Sequence, residues 1–341
     1  MSTDGGPDVL RVLDFGRVAP LRSQTLWHAI AAGVATGVSP TLSFLRPAEP
    51  YVCIGYHRRL DEIDVAECER RNLPVYRRMV GGGPVYLDDG QLFFQITVPA
   101  SSLPPMRTTA LRRLLAPVVT AFRDCGIDAE LDDAGEIVVG DRKVCGHGAG
   151  QLGDAVVVVG NLIERFDHDA ATAVLHAPSA VARAELLRMM RRYVAPTDVD
   201  ADSFREAAVR AYGSALALRP RWGALTAVEQ ERLADFDRRF ADPEWVRGPD
   251  RPGPKHWQVK IRAGVSVLAV NDGSSTIVAS MIDGRIGRAV VSDPNLDGRT
   301  PAVGDALAGR SIGDLGDALA PFGPAGHRVA DALVGAARSL P

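Results

Sequence analysis

Two short segments carry residue types at spacings suited to anion chemistry. The first runs Arg77-Arg78-Met79-Val80-Gly81-Gly82-Gly83-Pro84-Val85-Tyr86-Leu87-Asp88, with three consecutive glycines directly after two arginines. Consecutive glycines let the backbone turn several N–H groups toward one anion, and an adjacent guanidinium adds charge and two-pronged geometry. The segment reads as a cradle for phosphate or carboxylate. Gly82 is expected either to adopt a backbone conformation closed to residues with a Cβ or to lie too near the ligand to tolerate one. It is not a Walker A loop, because no Gly-Lys-Ser/Thr follows and the downstream element is strand-like. The plainer alternative is a flexible hairpin loop with solvated arginines. The second segment is Gly140-Asp141-Arg142-Lys143-Val144-Cys145-Gly146-His147-Gly148-Ala149-Gly150. Its Gly-x-Gly-x-Gly is not a dinucleotide fingerprint, since the third glycine comes one residue early and no βαβ unit follows. A lysine near a strand end, followed at once by small residues, can bring a fixed cation to a phosphoryl or carboxyl oxygen. Here the plain alternative is a surface lysine on a hairpin.

These segments need a scaffold, and the pattern predicts an α+β one. Leu26, Ile30 and Val34 recur at helical spacing between a Ser23 cap and Gly37, and a second helix starts near Thr108, with Pro117 inside it and Gly126 at its end. Between them, residues 42–45, 51–54, 75–80, 84–87 and 92–98 are short β-rich runs. Gly140-Asp141 is a two-residue hairpin signal between 137–139 and 142–145, which places Lys143 and Cys145 on one face of their strand. A strand at 155–163 follows. Ser203-Phe204-Arg205-Glu206 and Thr226-Ala227-Val228-Glu229 both have capping-box form. Residues 242–255 carry four prolines and two glycines and suit a linker. The expected domains are therefore 1–241, a linker over 242–255, and 256–341. In the last, strands at 258–261, 265–270, 276–281 and 286–291 are joined by turns at Asn271-Asp272-Gly273 and Asp283-Gly284.

Composition narrows the class. A chain of 341 residues with 46% hydrophobic and 24% charged side chains is globular and long enough for two domains. A net charge of -3 argues against bulk nucleic-acid or membrane-surface binding, so any anion must be held locally. No apolar run approaches the roughly 20 residues that span a bilayer. The acidic, Gly-rich stretch from Met1 to Asp8 lacks the basic and apolar regions of a signal peptide, so a cytoplasmic location is expected. Four cysteines without a C-x-x-C pair suggest thiols rather than a zinc site or a disulfide framework.

Taken together, the motifs resemble the lipoate-protein ligase branch of the biotin and lipoate ligase superfamily. The resemblance rests on the strand and turn from Pro50 to Tyr56, the Arg-Arg-x-x-Gly-Gly-Gly-x-Val-Tyr-x-Asp segment, the strand from Asp89 to Val98, the stretch from Glu136 through Lys143 to Gly146, and Gly160-Asn161-Leu162-Ile163. It implies a biotin/lipoate ligase-like catalytic domain with a mixed sheet and flanking helices, and a small α+β accessory domain from Trp257 onward. It further implies that Arg78, Gly81, Gly82, Gly83, Pro84, Val85, Tyr86 and Asp88, with Gly146, His147 and Asn161, line the nucleotide and substrate. Lys143 would lie between the acyl carbonyl and the α-phosphate. No protein-built metal site is implied. Such enzymes make an acyl-adenylate from ATP and lipoate or octanoate, assisted by Mg2+. They then pass the acyl group to a lysine of a lipoyl domain, such as that of a dehydrogenase acyltransferase subunit or a glycine-cleavage carrier.

The chain departs from the family pattern at several positions. Val80 stands where a small hydroxyl residue is common, Leu87 where His is common, and Cys145 and His147 flank the glycine after the lysine. The first helix, with His28 and Ala29, lacks an expected acidic residue. Cys145 raises a rival: some members of the superfamily are octanoyl or lipoyl transferases that use a cysteine thioester and no ATP, and a nearby cation could lower its pKa. Otherwise it is a buried apolar thiol, as Cys53, Cys68 and Cys125 are expected to be. His57 and His147 could help bind substrate or could simply be hydrogen-bonded in place. A biotin ligase is disfavoured because its Gly-Arg-rich loop is not visible, and a non-catalytic lipoate binder is opposed by Lys143.

Overall fold

The computed structural model describes residues 8–337 except 272, 274 and 297. The stretch from Met1 to Pro7 and Asp272 of the 271–273 turn lie outside the described residues. The described chain forms two compact units. One comprises residues up to 174 together with 195–250, the other residues 175–194 together with those from 251 onward.

The first unit is built on a six-stranded mixed sheet in the order His147–Leu152, Ala155–Ile163, Gln91–Pro99, Thr41–Pro47, Val9–Val18, Arg219–Trp222. The first four strands pair antiparallel, and Val9–Val18 runs parallel to both of its neighbours. Alternation along Gln91–Pro99 explains how the sheet is covered. Leu92, Phe94, Ile96 and Val98 face a core completed by helices Arg107–Asp124 and Ala201–Leu216, and Tyr212 anchors one to the other by donating to the Leu114 carbonyl at 2.8 Å. Phe93, on the opposite face, packs with Leu26 and Ala29 of helix Pro20–Ala35.

Two expected helix starts move. Pro20 occupies the first turn, where its missing N–H costs nothing, and Ser23 lies inside the helix with its hydroxyl donating back to the Pro20 carbonyl at 2.7 Å. Asp200, not Ser203, caps Ala201–Leu216 by accepting from the Ser203 N–H at 2.8 Å. The Thr226–Glu229 capping box forms as expected at the head of helix Ala227–Ala241. Glu229 also pairs with Arg11 of the sheet. Both are buried, and Thr41 accepts from the same guanidinium at 3.0 Å.

The second unit has a four-stranded antiparallel meander, Trp257–Arg262, Val265–Asn271, Thr276–Ile282 and Arg285–Ser292. Leu268, Val270, Ile277, Ala279 and Met281 pack against the helices of 300–337. Ser280, on the opposite face, accepts from Arg188 of helix Ala180–Tyr193 at 3.4 Å. That helix, read from sequence as part of the larger domain, is therefore the second layer of the smaller unit. The proline-rich segment also differs from expectation, because it opens with the short helix Pro243–Arg247, which belongs to the first unit.

Removing one partner of the buried Arg11–Glu229 pair leaves an uncompensated charge, typically costing about 3–5 kcal/mol. Glu229→Leu should show that loss in urea unfolding followed by circular dichroism, and Arg11→Met combined with it should recover much of the stability. A single-variant loss below about 1 kcal/mol would mean that the pair does not hold helix to sheet.

Candidate functional site

The glycine segment is not a hairpin. Tyr51–Ile54 is the central strand of a three-stranded sheet, with Val75–Arg77 parallel on one side and Val85–Leu87 antiparallel on the other. Residues 78–84 therefore cross the end of the central strand. They are pinned there, since the Arg78 N–H donates to the Ile54 carbonyl and the Tyr56 N–H to the Val80 carbonyl, each at 3.0 Å. Gly82 has φ +95°, as expected of a position closed to side chains. A Cβ on Gly55 would fall 2.0 Å from the Gly82 oxygen.

Arg78, expected to line the nucleotide, is engaged with the loop itself. Its guanidinium is buried and donates to the carbonyls of Cys53 (3.1 Å), Gly81 (2.8 Å) and Gly83 (2.9 Å). It thus shapes the loop from inside. The amides of Gly81, Gly82 and Gly83 donate to no acceptor among the described residues. Gly82, Gly83 and Val85 are exposed, and Pro84, Tyr86 and Asp88 are partly buried. Burial and the neighbouring Asp88 push the Tyr86 phenol up to about 12. His28 ties the loop to the first helix. Its Nδ1 lies 2.6 Å from the Gln24 carbonyl and its Nε2 accepts from the Met79 N–H at 3.3 Å, so the buried imidazole is neutral, with a pKa lowered to about 3 by desolvation.

The hairpin Ile137–Val139/Arg142–Cys145 forms with Gly140 at its turn, and the Lys143 ammonium lies 2.6 Å from the Glu136 carboxylate. The expected shared face of Lys143 and Cys145 is lost. Ile137 pairs with Cys145 and Val138 with Lys143, so Val144 is an extra residue in a bulge, and both Val144 and Cys145 enter the hydrophobic core. There the Cys145 thiol is pushed up to about 12 by desolvation. His147 begins the next strand. Its Nδ1 is buried without a hydrogen-bond partner among the described residues, and desolvation and the charge of Lys143 lower its pKa to about 4 against the opposing pull of Glu136 and Asp132.

Two links bring the segments together. Val80 packs with Trp27 and Val157 over the bare backbone of the His147–Leu152 strand, where a Cβ on Gly150 would fall 2.7 Å from its methyl. A polar relay runs below. Asn161 accepts from the Gly146 N–H (2.7 Å) and donates to Gln91 (2.6 Å), whose own amide reaches Asp88 Oδ1 (3.3 Å) and the Tyr86 carbonyl (3.5 Å). Gln91 and Glu136, which make these contacts, are not among the site residues expected from sequence. The available signal was a glutamine heading a largely apolar, fully buried strand. His57 stays exposed, its ring edge-on to Tyr56.

His28 and His147 bind protons in the unfolded chain below its ordinary histidine pKa near 6.5 but in the fold only below about 3 and 4. The folded state is therefore fully favoured above pH 6.5 and loses stability as pH falls from there toward 4. His147→Gln should flatten the slope of melting temperature against pH across that window. An unchanged slope would mean that His147 titrates normally.

Residues 20–213 match the sequence profile of the lipoyl protein ligase A/B catalytic domain. Lipoate-protein ligase A subunit 1 of Thermoplasma acidophilum is 28% identical over 237 residues, covering 65% of this chain and 89% of that protein. Octanoyltransferase LipM of Moorella thermoacetica is 26% identical over 268 residues, covering 70% and 97%. Among solved structures, a chain from the study of the bi-partite lipoate protein ligase of T. acidophilum and its E2 lipoyl domain superimposes with TM-score 0.65 at 25% identity, over 72% of this chain and 98% of that one. Lipoate-protein ligase A bound with ATP gives 0.61 at 27%, over 70% and 99%, and a T. acidophilum protein with bound lipoic acid gives 0.60 at 26%, over 70% and 100%. With the profile covering more than half its length and these structures sharing its fold, the chain belongs to the lipoyl protein ligase A/B catalytic domain family.

Proposed function

We propose that the chain is an ATP-dependent lipoate-protein ligase. The carboxylate of lipoate or octanoate attacks the α-phosphate of ATP, releasing pyrophosphate and leaving an acyl-adenylate. The amine of a carrier lysine then attacks the acyl carbonyl, forming an amide and releasing AMP and a proton. The family includes relatives of both kinds, ligase and octanoyltransferase. The observation that carries the choice is the state of the thiols. Cys53, Cys68 and Cys145 are buried, Cys125 is partly so, and desolvation raises the pKa of all four. A thioester route needs a thiolate, and an acyl-adenylate route does not.

In this reading the unengaged amides of Gly81–Gly83 receive phosphate oxygens, Arg78 keeps the loop in shape and adds positive charge, and Lys143 stabilises the negative charge that builds when one anion attacks another. Glu136 holds the ammonium in place, and a lysine with three N–H donors can keep that contact while reaching substrate. Asn161 and Gln91 fix the strand end after Lys143 relative to Tyr86 and Asp88. Among the described residues no three His, Cys, Asp or Glu side chains cluster to hold a metal ion, so magnesium would enter on the phosphates of the nucleotide. The acceptor would be the lipoyl domain of a dehydrogenase acyltransferase subunit or a glycine-cleavage carrier. Among the described residues no helix is long and apolar enough to cross a membrane.

The chain should release pyrophosphate when given ATP, magnesium and either lipoate or octanoate, with the acyl-adenylate detectable by mass spectrometry. Lys143→Ala should slow that release on the order of a hundredfold to a thousandfold. Wild-type release from the variant would remove Lys143 from the reaction. Alkylation offers an independent check: iodoacetamide at pH 8 should spare Cys145 in the folded chain and modify it after unfolding. Rapid native labelling, or an acyl adduct on Cys145 formed without ATP, would favour the transferase.

A further inference from the structure

The short helix Pro243–Arg247 is tied to the glycine segment by one side chain. Arg77 is 1% exposed. Its Nη1 donates to the carbonyls of Arg58 (2.6 Å), Gly55 (3.0 Å) and Tyr56 (3.3 Å), its Nε to Val246 (3.0 Å) and Trp245 (3.2 Å), and its Nη2 to Arg247 (2.9 Å). One planar fork thus joins the turn after the central strand to the carbonyl end of a helix, where the last peptide oxygens lack partners within the helix. Trp245 completes the tie by donating its indole N–H to the Arg77 carbonyl at 2.9 Å. Its ring is stacked on Phe240 at 5.3 Å and lies 4.1 Å from the Arg239 guanidinium, so two neighbours hold the indole.

The turn gripped by Arg77 is also the support of the glycine loop. Tyr56 donates to the Val80 carbonyl, and Gly55 lies so close to the Gly82 oxygen that no Cβ fits between them. A shift of residues 55–58 therefore displaces the Gly82 peptide.

We propose that Arg77 and Trp245 are positioning residues for the nucleotide. They hold the 55–58 turn, and through it the amides of Gly81–Gly83, in the conformation that receives the triphosphate. Residues 243–248 then belong to the scaffold of the nucleotide site and not to a linker. The proposal rests on the ATP-dependent reading above. Neither residue supplies a group to the reacting atoms, so the effect falls on nucleotide affinity and not on turnover.

The test uses the full chain with two variants. Trp245→Phe keeps a ring on Phe240 and loses the N–H, and Arg77→Lys keeps the charge and loses the fork. ATP affinity is read by calorimetry, and KM and kcat from pyrophosphate release with octanoate. Trp245→Phe should weaken ATP binding and raise KM for ATP by about three- to tenfold, as expected for one lost hydrogen bond, with kcat within about twofold. Arg77→Lys should do the same more strongly. If Arg77→Lys fails to fold, Trp245→Phe alone decides. Unchanged ATP affinity in folded Trp245→Phe, or a fall in kcat at constant KM, overturns this proposal and leaves the ligase reading standing. A wild-type chain that binds no ATP overturns both.

Discussion

A guanidinium bonded to three peptide carbonyls sets the geometry on which the rest of the site depends. Arg78 draws the oxygens of Cys53, Gly81 and Gly83 toward one point, and this fixes which way the glycine peptides face. A peptide whose carbonyl points inward presents its N–H outward, so the Gly81 carbonyl bound by Arg78 turns out the Gly82 N–H, and the Val80 carbonyl bound by Tyr56 turns out that of Gly81. The two arginines divide the work. Arg78 folds the loop onto the central strand, and Arg77 secures the turn against which the loop rests. Such arrangements need Arg, because the ammonium of Lys cannot offer several donors in one plane at fixed angles.

The elements of this fold were largely legible because each strand of the site carries its own period and punctuation. The run 51–54 holds to the residue, 137–139 and 142–145 form the hairpin that Gly140-Asp141 announces, and the four strands of the second unit fall within a residue or so of expectation. What failed was decided elsewhere in space. Residues 75–80 look strand-like throughout, yet the strand stops at Arg77 because the chain must cross the end of Tyr51–Ile54 to reach its other side. Alternation placed Cys145 beside Lys143, but one extra residue in the bulge turned the thiol into the core, and no local signal at Val144 announces a bulge. Helix Ala180–Tyr193 has an ordinary amphipathic pattern, and nothing in that pattern says which of two sheets it covers.

The candidate site was legible in its residue types more than in their roles. Lys143 and the glycines stand out by kind and spacing. That Arg78 would bind carbonyls, that Glu136 would face the lysine, and that Gln91 would connect Asn161 to Asp88 are consequences of pairing between distant strands. Gln91 illustrates the difficulty. In a buried strand an amide is costly unless both its ends are satisfied, and only the register of Gln91–Pro99 against Ala155–Ile163 shows that Asn161 stands on that face of the sheet.

Of the departures from the family pattern, Val80 and His147 lie beside the glycine segments, whereas Leu87 and Cys145 lie in two separate hydrophobic clusters. Val80, where a small hydroxyl residue is common, sits among Trp27 and Val157 and over the bare backbone of Gly148 and Gly150. Valine packs on the apolar side chains of Trp27 and Val157 without needing a hydrogen-bond partner. The exchange leaves the Gly82 conformation, the Arg78 bonds and the Lys143–Glu136 pair as they are. His147 departs in the same region, on the strand against which Val80 packs. Val80 and His147 thus differ beside the two glycine segments, while Gly81–Gly83 and Lys143 match the pattern. A change at a packing position such as Val80 alters the shape beside the loop without touching the Arg78 bonds or the Lys143–Glu136 pair.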